Sequence, residues 1–197
     1  ILPRMHSSTT REELIKVGTG IIALQGFNTT GLNAVLSTAG VPKGSFYHYF
    51  RSKEDFGLAV IESFAGEYNA RLRDYLQDAS VTPLQRIRKY MQSGIKSMQG
   101  CECRQGCLIG SLGQELAGQN EVFREKLDGV FREWSGYFRD CLDEAKAIGE
   151  ISADSNTREL ADFILTGWQG ASLRAKVTRS VKPMKSFMKI LFTRILV

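Results

Sequence analysis

The chain has 197 residues, a formal net charge of +5 and a pI near 9.1, with 43% hydrophobic and 24% charged residues. That length admits one domain or two small ones, and the composition is that of a globular chain with a real core, not a disordered or fibrous one. No run of eighteen apolar residues offers a membrane span, and the weak basic excess favours a polyanionic partner without requiring one.

The start lacks a basic region followed by an apolar core, so no signal peptide is read there. Ile1 to Arg4, ahead of Met5, are read as an upstream remnant and left out of the fold reasoning. Four cysteines without an export signal point to reduced thiols and a cytoplasmic location. Four prolines and no long alternating β-branched runs predict an all-α fold.

Thr10, with Glu13 three residues on, has capping-box spacing and predicts the first helix, with Leu14, Val17, Ile21 and Ile22 on its apolar face. Gly26 ends it and Phe27 turns back to the core. Thr30 is the predicted cap of the next helix, which carries Leu32, Val35, Leu36 and Ala39 inward. Gly40 stops it, Val41 fills the angle, and Pro42 opens a further helix over Lys43–Phe50. That short helix is rich in hydrogen-bonding side chains: Lys43, Ser45, Tyr47, His48 and Tyr49, with Phe46 and Phe50 facing inward. Helix, glycine turn and polar second helix describe a helix-turn-helix, whose second helix enters the DNA major groove. Residues 1–60 hold six Lys or Arg against four Asp or Glu, so the pattern carries this reading more than the charge does.

Ser52 caps a long helix with Lys53, Glu54 and Asp55 in its first turn and a stripe of Phe56, Val60, Phe64, Tyr68, Leu72 and Leu76, running to about Asp78. Thr82 and Pro83 open the next, with Leu84, Ile87, Tyr90, Met91 and Ile95 on one face and an end near Gly100. A cysteine-rich patch, Gly100 to Gly110, follows. Gly106 reads as a helix start, with Leu108, Leu112 and Leu116 inward. Asn120 caps a long helix through Val122, Phe123, Leu127, Val130, Phe131, Trp134, Phe138, Cys141, Leu142 and Ala145, stopped by Gly149. Asn156 or Thr157 caps a helix to about Arg179 with Leu160, Phe163, Ile164, Gly167, Trp168, Ala171 and Ala175 inward. Pro183 opens the last, through Met184, Phe187, Met188, Leu191 and Ile195. A terminal pair this apolar calls for a partner surface.

In the head, Gly44 permits close backbone approach, Tyr47 offers a ring to a thymine methyl and a hydroxyl to phosphate, and His48 and Tyr49 can bond phosphates. Thr29, Thr30 and Asn33 start the preceding helix and can bond the DNA backbone. Lys53 beside free helix N–H groups makes an anion site. Cys101, Cys103 and Cys107 have the spacing C-x-C-x3-C, but the two histidines, His6 and His48, lie far off in sequence, so neither a metal centre nor a Cys–His nucleophile is read. No glycine-rich phosphate cradle marks a cofactor site, and the chain is not read as an enzyme. In the first turn of its helix, Cys107 would be drawn toward thiolate, the form that attacks electrophiles and oxidants. Cys141 reads as a small buried hydrophobe.

Val41–Glu54, with its Lys-Gly-Ser-Phe-Tyr-His-Tyr-Phe-Arg-Ser-Lys-Glu run, resembles the DNA-binding signature of the TetR family of bacterial repressors. Gly106-Cys107-Leu108, Leu112, Glu115-Leu116 and the run Gly170 to Ser180 resemble the sensor domain of the NemR-type members. The resemblance implies an N-terminal three-helix DNA-binding domain over 1–55 and a helical sensor and dimerisation domain over 56–197. It places Lys43, Gly44, Ser45, Tyr47 and His48 at DNA, and it implies a homodimer joined through its last two helices on a palindromic operator. It also implies a thiol, Cys107, that answers electrophiles or reactive chlorine, with Lys176 able to lower its pKa. Tyr68, Tyr90, Trp134 and Trp168 form the expected pocket. Two rivals stand beside this reading: a repressor released by a reversible apolar ligand, with Cys107 structural, and a thiol-dependent enzyme.

Overall fold

The computed structural model describes residues 9–197; Ile1 to Arg4 and His6 lie outside them. Among the described residues the regular structure is helical throughout. Helix α1 spans Thr10–Gln25, and its capping box sits one residue before the predicted one: Thr9 Oγ1 accepts from Glu12 N at 3.3 Å and the Glu12 carboxylate accepts from Thr9 N at 2.8 Å. That register turns Leu14, Ile15, Gly18 and Ile22 inward. Helix α2, Leu32–Thr38, ends in a Schellman motif: Val41 N donates to Leu36 O at 2.9 Å and Gly40 N to Ser37 O at 3.2 Å. Gly40 adopts φ +67°, the left-handed conformation the motif requires.

The helix predicted over Lys43–Phe50 is broken in two. Lys43–Ser45 is a 3₁₀ turn closed by Ser45 N donating to Pro42 O, and α3 is only Phe46–Tyr49. Phe46 and Phe50 are buried as expected and meet Phe56 edge-on, with ring centroids 5.8 and 5.0 Å away. Helix α4, Lys53–Leu76, is capped by Ser52, whose hydroxyl accepts from Asp55 N. The boundary expected at residues 55–56 thus falls inside its first turn, and α4 belongs to both head and body.

In the body, α5 is Pro83–Gly100, α6 Leu108–Leu116, α7 Glu121–Ala147, α8 Thr157–Thr178 and α9 Lys182–Ile190, which ends in a π turn over Leu191–Ile195. Asn120 caps α7 as predicted, and of the two candidates Asn156 and Thr157 it is Asn156 that caps α8. Thr82 stands at the start of α5 but makes no cap bond; Glu150 accepts from Leu84 N at 2.9 Å instead. Helix α7 runs through the middle, packed on α4, α5, α6 and α8, and α8 carries α9. Val122, Phe163 and Ile195, predicted inward, are exposed because each lies just off the buried edge of its helix. Cys141 is buried as expected, its Sγ donating to Pro83 O at 3.3 Å. The body also buries Arg86, paired to Glu144 at 2.7 Å and bonded to the carbonyls of Leu76 and Val81.

Candidate nucleic-acid interface and sensor cavity

The head presents a set of exposed residues just before and on α2 and along the α3 segment. Thr29, Asn33, Lys43, Gly44 and His48 are exposed, and Tyr47 is 72% exposed, a large fraction for an aromatic ring, with only its edge contact to the Phe46 ring at 5.4 Å. Ser45 and Tyr49 are half-buried at the edge of this set. One predicted contact falls away from it. Thr30 is 1% exposed and caps nothing: its hydroxyl donates to Gly26 O at 2.5 Å and accepts from Gln25 Nε2, so it ties the end of α1 to the turn. Lys53 is half-buried at the head's edge and directs its ammonium to Asn28 O at 3.1 Å and over the Phe27 ring at 4.8 Å, in an exposed bond that leaves two of its donors unused.

The body holds a cavity of about 370 Å³. Helix α4 supplies Phe64, Tyr68 and Arg71; α5 supplies Tyr90 and Met98; the loop before α6 supplies Cys101, Gln105 and Cys107; α8 supplies Trp168, Gln169 and Ser172. Gly94 leaves room for the indole of Trp168, since a Cβ there would lie 2.7 Å from Trp168 Cζ2. The hydroxyls of Tyr68 and Tyr90 hydrogen-bond each other. Burial raises both phenols, Tyr90 to about 12, so at neutral pH they are uncharged donor–acceptor groups. Trp134, predicted in the pocket, is buried behind it. Its ring lies 4.2 Å from that of Tyr68, and its indole N–H donates to Asn69 Oδ1 at 2.8 Å. The polar lining group Arg71, whose guanidinium bonds Ser93 Oγ at 2.8 Å, was not read from sequence. A lone cation at the edge of an amphipathic stripe gives no sign that it faces a cavity.

Cys107 is the N-cap of α6 and so stands one position ahead of the predicted first turn. Its sulfur accepts from Gln169 Nε2 at 3.4 Å. Burial pushes the thiol up, opposite to the expected direction; the N–H groups of Gly110 and Ile109 and the Gln169 amide offset it only in part. The helix terminus acts as predicted, but α8 covers the sulfur and desolvation outweighs it. Lys176 is not among the groups that lower the thiol. It lines a second cavity of about 170 Å³ with Gly106, Cys107 and Gln169, its chain packed beside Gly106. Gly106, Cys107, Gln169 and Ser172 line both cavities and form the partition they share. Cys101 lines the larger one, its Sγ donating to Met98 O at 3.3 Å. Cys103 is buried, in a turn where Glu102 and Cys103 are both left-handed, at φ +52° and +56°. Among the described residues no three His, Cys, Asp or Glu side chains converge as metal ligands.

A three-helix head with an exposed polar reading segment, joined by one long helix to an all-helical body around a cavity, defines a helix-turn-helix transcription regulator of the one-component kind. Residues 14–60 match the sequence profile of the bacterial regulatory proteins of the tetR family, and residues 83–191 that of the tetracyclin repressor-like C-terminal domain. The chain belongs to the TetR family and is a DNA-binding transcriptional regulator, not an enzyme. It is 41% identical to the transcriptional regulator AcuR of Cereibacter sphaeroides over 93% of this chain and 84% of that one. It is 35% identical to the transcriptional repressor DhaR of a Mycobacterium species over 98% and 95%. The crystal structure of Escherichia coli NemR in its reduced form superposes with a TM-score of 0.87 at 32% identity, covering 96% of this chain and 98% of that one. No helix among the described residues is long and apolar enough to cross a membrane.

Proposed function

We propose that this regulator is a homodimeric repressor that leaves a palindromic operator when Cys107 is modified by an electrophile or oxidant. The carrying observation is the position of Cys107: N-cap of α6, in the partition between two cavities, held by Gln169 of α8. An apolar electrophile entering the larger cavity meets the sulfur there. With an activated alkene the Sγ–carbon bond forms at the β-carbon, the double bond is lost, and the thiol proton ends on the α-carbon. The added group displaces the Gln169 amide and fills the partition, so α6 and α8 separate at that point.

Helices α8 and α9 supply the dimer face. Phe163, Leu173, Val177 and Ile190 stand exposed on them, an apolar surface that a twofold mate covers. The exposed segment Lys43–Tyr49 would then enter one major groove per half-site, the half-sites one helical turn or a multiple apart. Modification acts by favouring one of two head arrangements, as any effector of a two-state regulator must.

One observation favours a second reading, release by a reversible ligand. The cavity exists before any modification, and its Tyr68–Tyr90 pair and Arg71 can orient a polar group. Fluorescence anisotropy on the DNA upstream of the gene, titrated with N-ethylmaleimide and with hypochlorite, separates the two. Release of the parent but not of Cys107→Ser supports the thiol reading. Release of both by either reagent, or of neither, overturns it; release by a non-electrophile with Cys107→Ser unaffected establishes the ligand reading.

A further inference from the structure

Helix α6 has the thiol at one end and a carboxylate at the other. Glu115, in its last turn, reaches across to the head: Oε2 accepts from Phe27 N at 2.9 Å and Oε1 from Asn28 N at 2.6 Å. These amides belong to the turn between α1 and α2, where no helix partner exists for them. Gly26, at φ +86°, ends α1 there, and a Cβ on it would lie 2.9 Å from Glu115 Oε2. Only glycine gives the carboxylate this approach.

The rest of the turn is fixed from other sides. Asn28 O takes the Lys53 ammonium from α4, and the Phe27 ring meets Phe123 of α7 edge-on at 5.1 Å. Among the described residues, the hydrogen bonds from body to α1–α3 are the two that Glu115 accepts. The other polar link, Asn120 Nδ2 to Glu54 Oε2 at 2.6 Å, holds the first turn of α4 beside the pivot and leaves the α1–α2 turn alone. Eight residues separate Cys107 from Glu115, about 12 Å along a helix. A helix this short moves as a unit, so a shift at its sulfur end appears at its carboxylate end.

We propose that Glu115 is the positioning residue that couples the body to the reading head: its carboxylate, gripping the Phe27 and Asn28 amides, holds the α1–α2 turn in the DNA-competent arrangement, and movement of α6 breaks that grip. The trigger rests on the thiol reading above; the grip does not. Charge-assisted bonds to backbone N–H groups are strong enough to set such an arrangement.

The test uses the full chain and the conservative variant Glu115→Gln. Glutamine keeps one acceptor oxygen but turns an NH₂ toward the second amide, so one bond is lost without a change of shape. Hydrogen exchange at the Phe27 and Asn28 amides reads the grip directly. Exchange is expected to accelerate about tenfold in Glu115→Gln, the equivalent of one such bond. Operator affinity of the unmodified variant is expected to fall by a similar factor, and the ratio of affinities before and after N-ethylmaleimide to shrink toward one. In the parent, N-ethylmaleimide is expected to accelerate exchange at the same two amides. A variant with lowered melting temperature but parental operator affinity and parental ratio overturns the proposal, because a merely structural carboxylate gives that result. Unchanged exchange at both amides overturns it as well. If N-ethylmaleimide fails to release the parent, the thiol reading fails; exchange and operator affinity of unmodified Glu115→Gln still decide the grip.

Discussion

Asn69 offers the sharpest test of how the cavity wall is held. It is a buried polar residue on α4, accepting from the Trp134 indole at 2.8 Å and donating to Glu133 at 2.7 Å. Trp134 is fully buried, so its N–H has no water to turn to. Replacing Asn69 by Leu keeps the volume close and strands that donor, at a cost of about 1–3 kcal/mol. Glu133 is exposed and returns to solvent, so it adds little. A loss of about 2 kcal/mol is expected, which lowers the melting temperature by roughly 4–8 °C in a chain of this size. Urea unfolding followed by circular dichroism, at fixed protein concentration, measures it. The control is Asn69→Leu in a Trp134→Phe background, where the donor is already gone; the two changes are expected to couple by about 1 kcal/mol or more. The plane of Trp134 lies against Tyr68, so the variant also loosens one wall of the cavity. A cost of Asn69→Leu below about 0.5 kcal/mol, the range of ordinary surface changes, would refute the assignment of that bond as a structural anchor.

Tyr47→Ala removes an exposed ring and is expected to leave the melting temperature unchanged while weakening operator binding about tenfold, the equivalent of one good contact, in an anisotropy titration. Lys43→Ala is expected to lower the slope of log affinity against log salt by about one, whatever the DNA sequence. Gly57→Ala places a Cβ 2.5 Å from Phe27 Cε2 and 2.8 Å from Phe123 Cζ, and is expected to cost about 1–3 kcal/mol in urea unfolding by overpacking the joint between head and body. Burial raises Cys141 from 9.0 to about 12, so the folded state keeps this proton longer than the unfolded chain does. Its contribution is full below pH 9 and is lost as pH rises toward 12, and in urea titrations across that range Cys141→Ala is expected to flatten the decline.

Most of the helices were legible because their signals are local. Gly40, Pro42, Phe46 and Phe50 mark the reading segment within a dozen residues, and Ser52, Asn120 and Asn156 mark helix starts by their own hydrogen bonds. What failed depended on packing across the chain. Thr29 and Thr30 are adjacent hydroxyls, and which one turns inward is decided by where α1 ends. The Cys107 thiol was judged from its helix terminus, but α8, more than sixty residues on, covers it and reverses the direction. Trp134 and Trp168 share an aromatic character that could not tell a core ring from a cavity wall. Glu115 lies in the sensor-like motif, but nothing near it in sequence shows its role, because its two partners lie 88 and 87 residues earlier.

The distribution of indoles has a practical consequence. The chain has two tryptophans, and the head has neither. Trp168 lines the larger cavity and Trp134 backs the tyrosine that walls it. Intrinsic emission excited at the indole band therefore originates in the sensor alone, and DNA docked on the head stays remote from both emitters. The protein carries its own unlabelled optical reporter, in which quenching or a spectral shift registers an occupant of the cavity or an adduct on Cys107 separately from what the operator is doing.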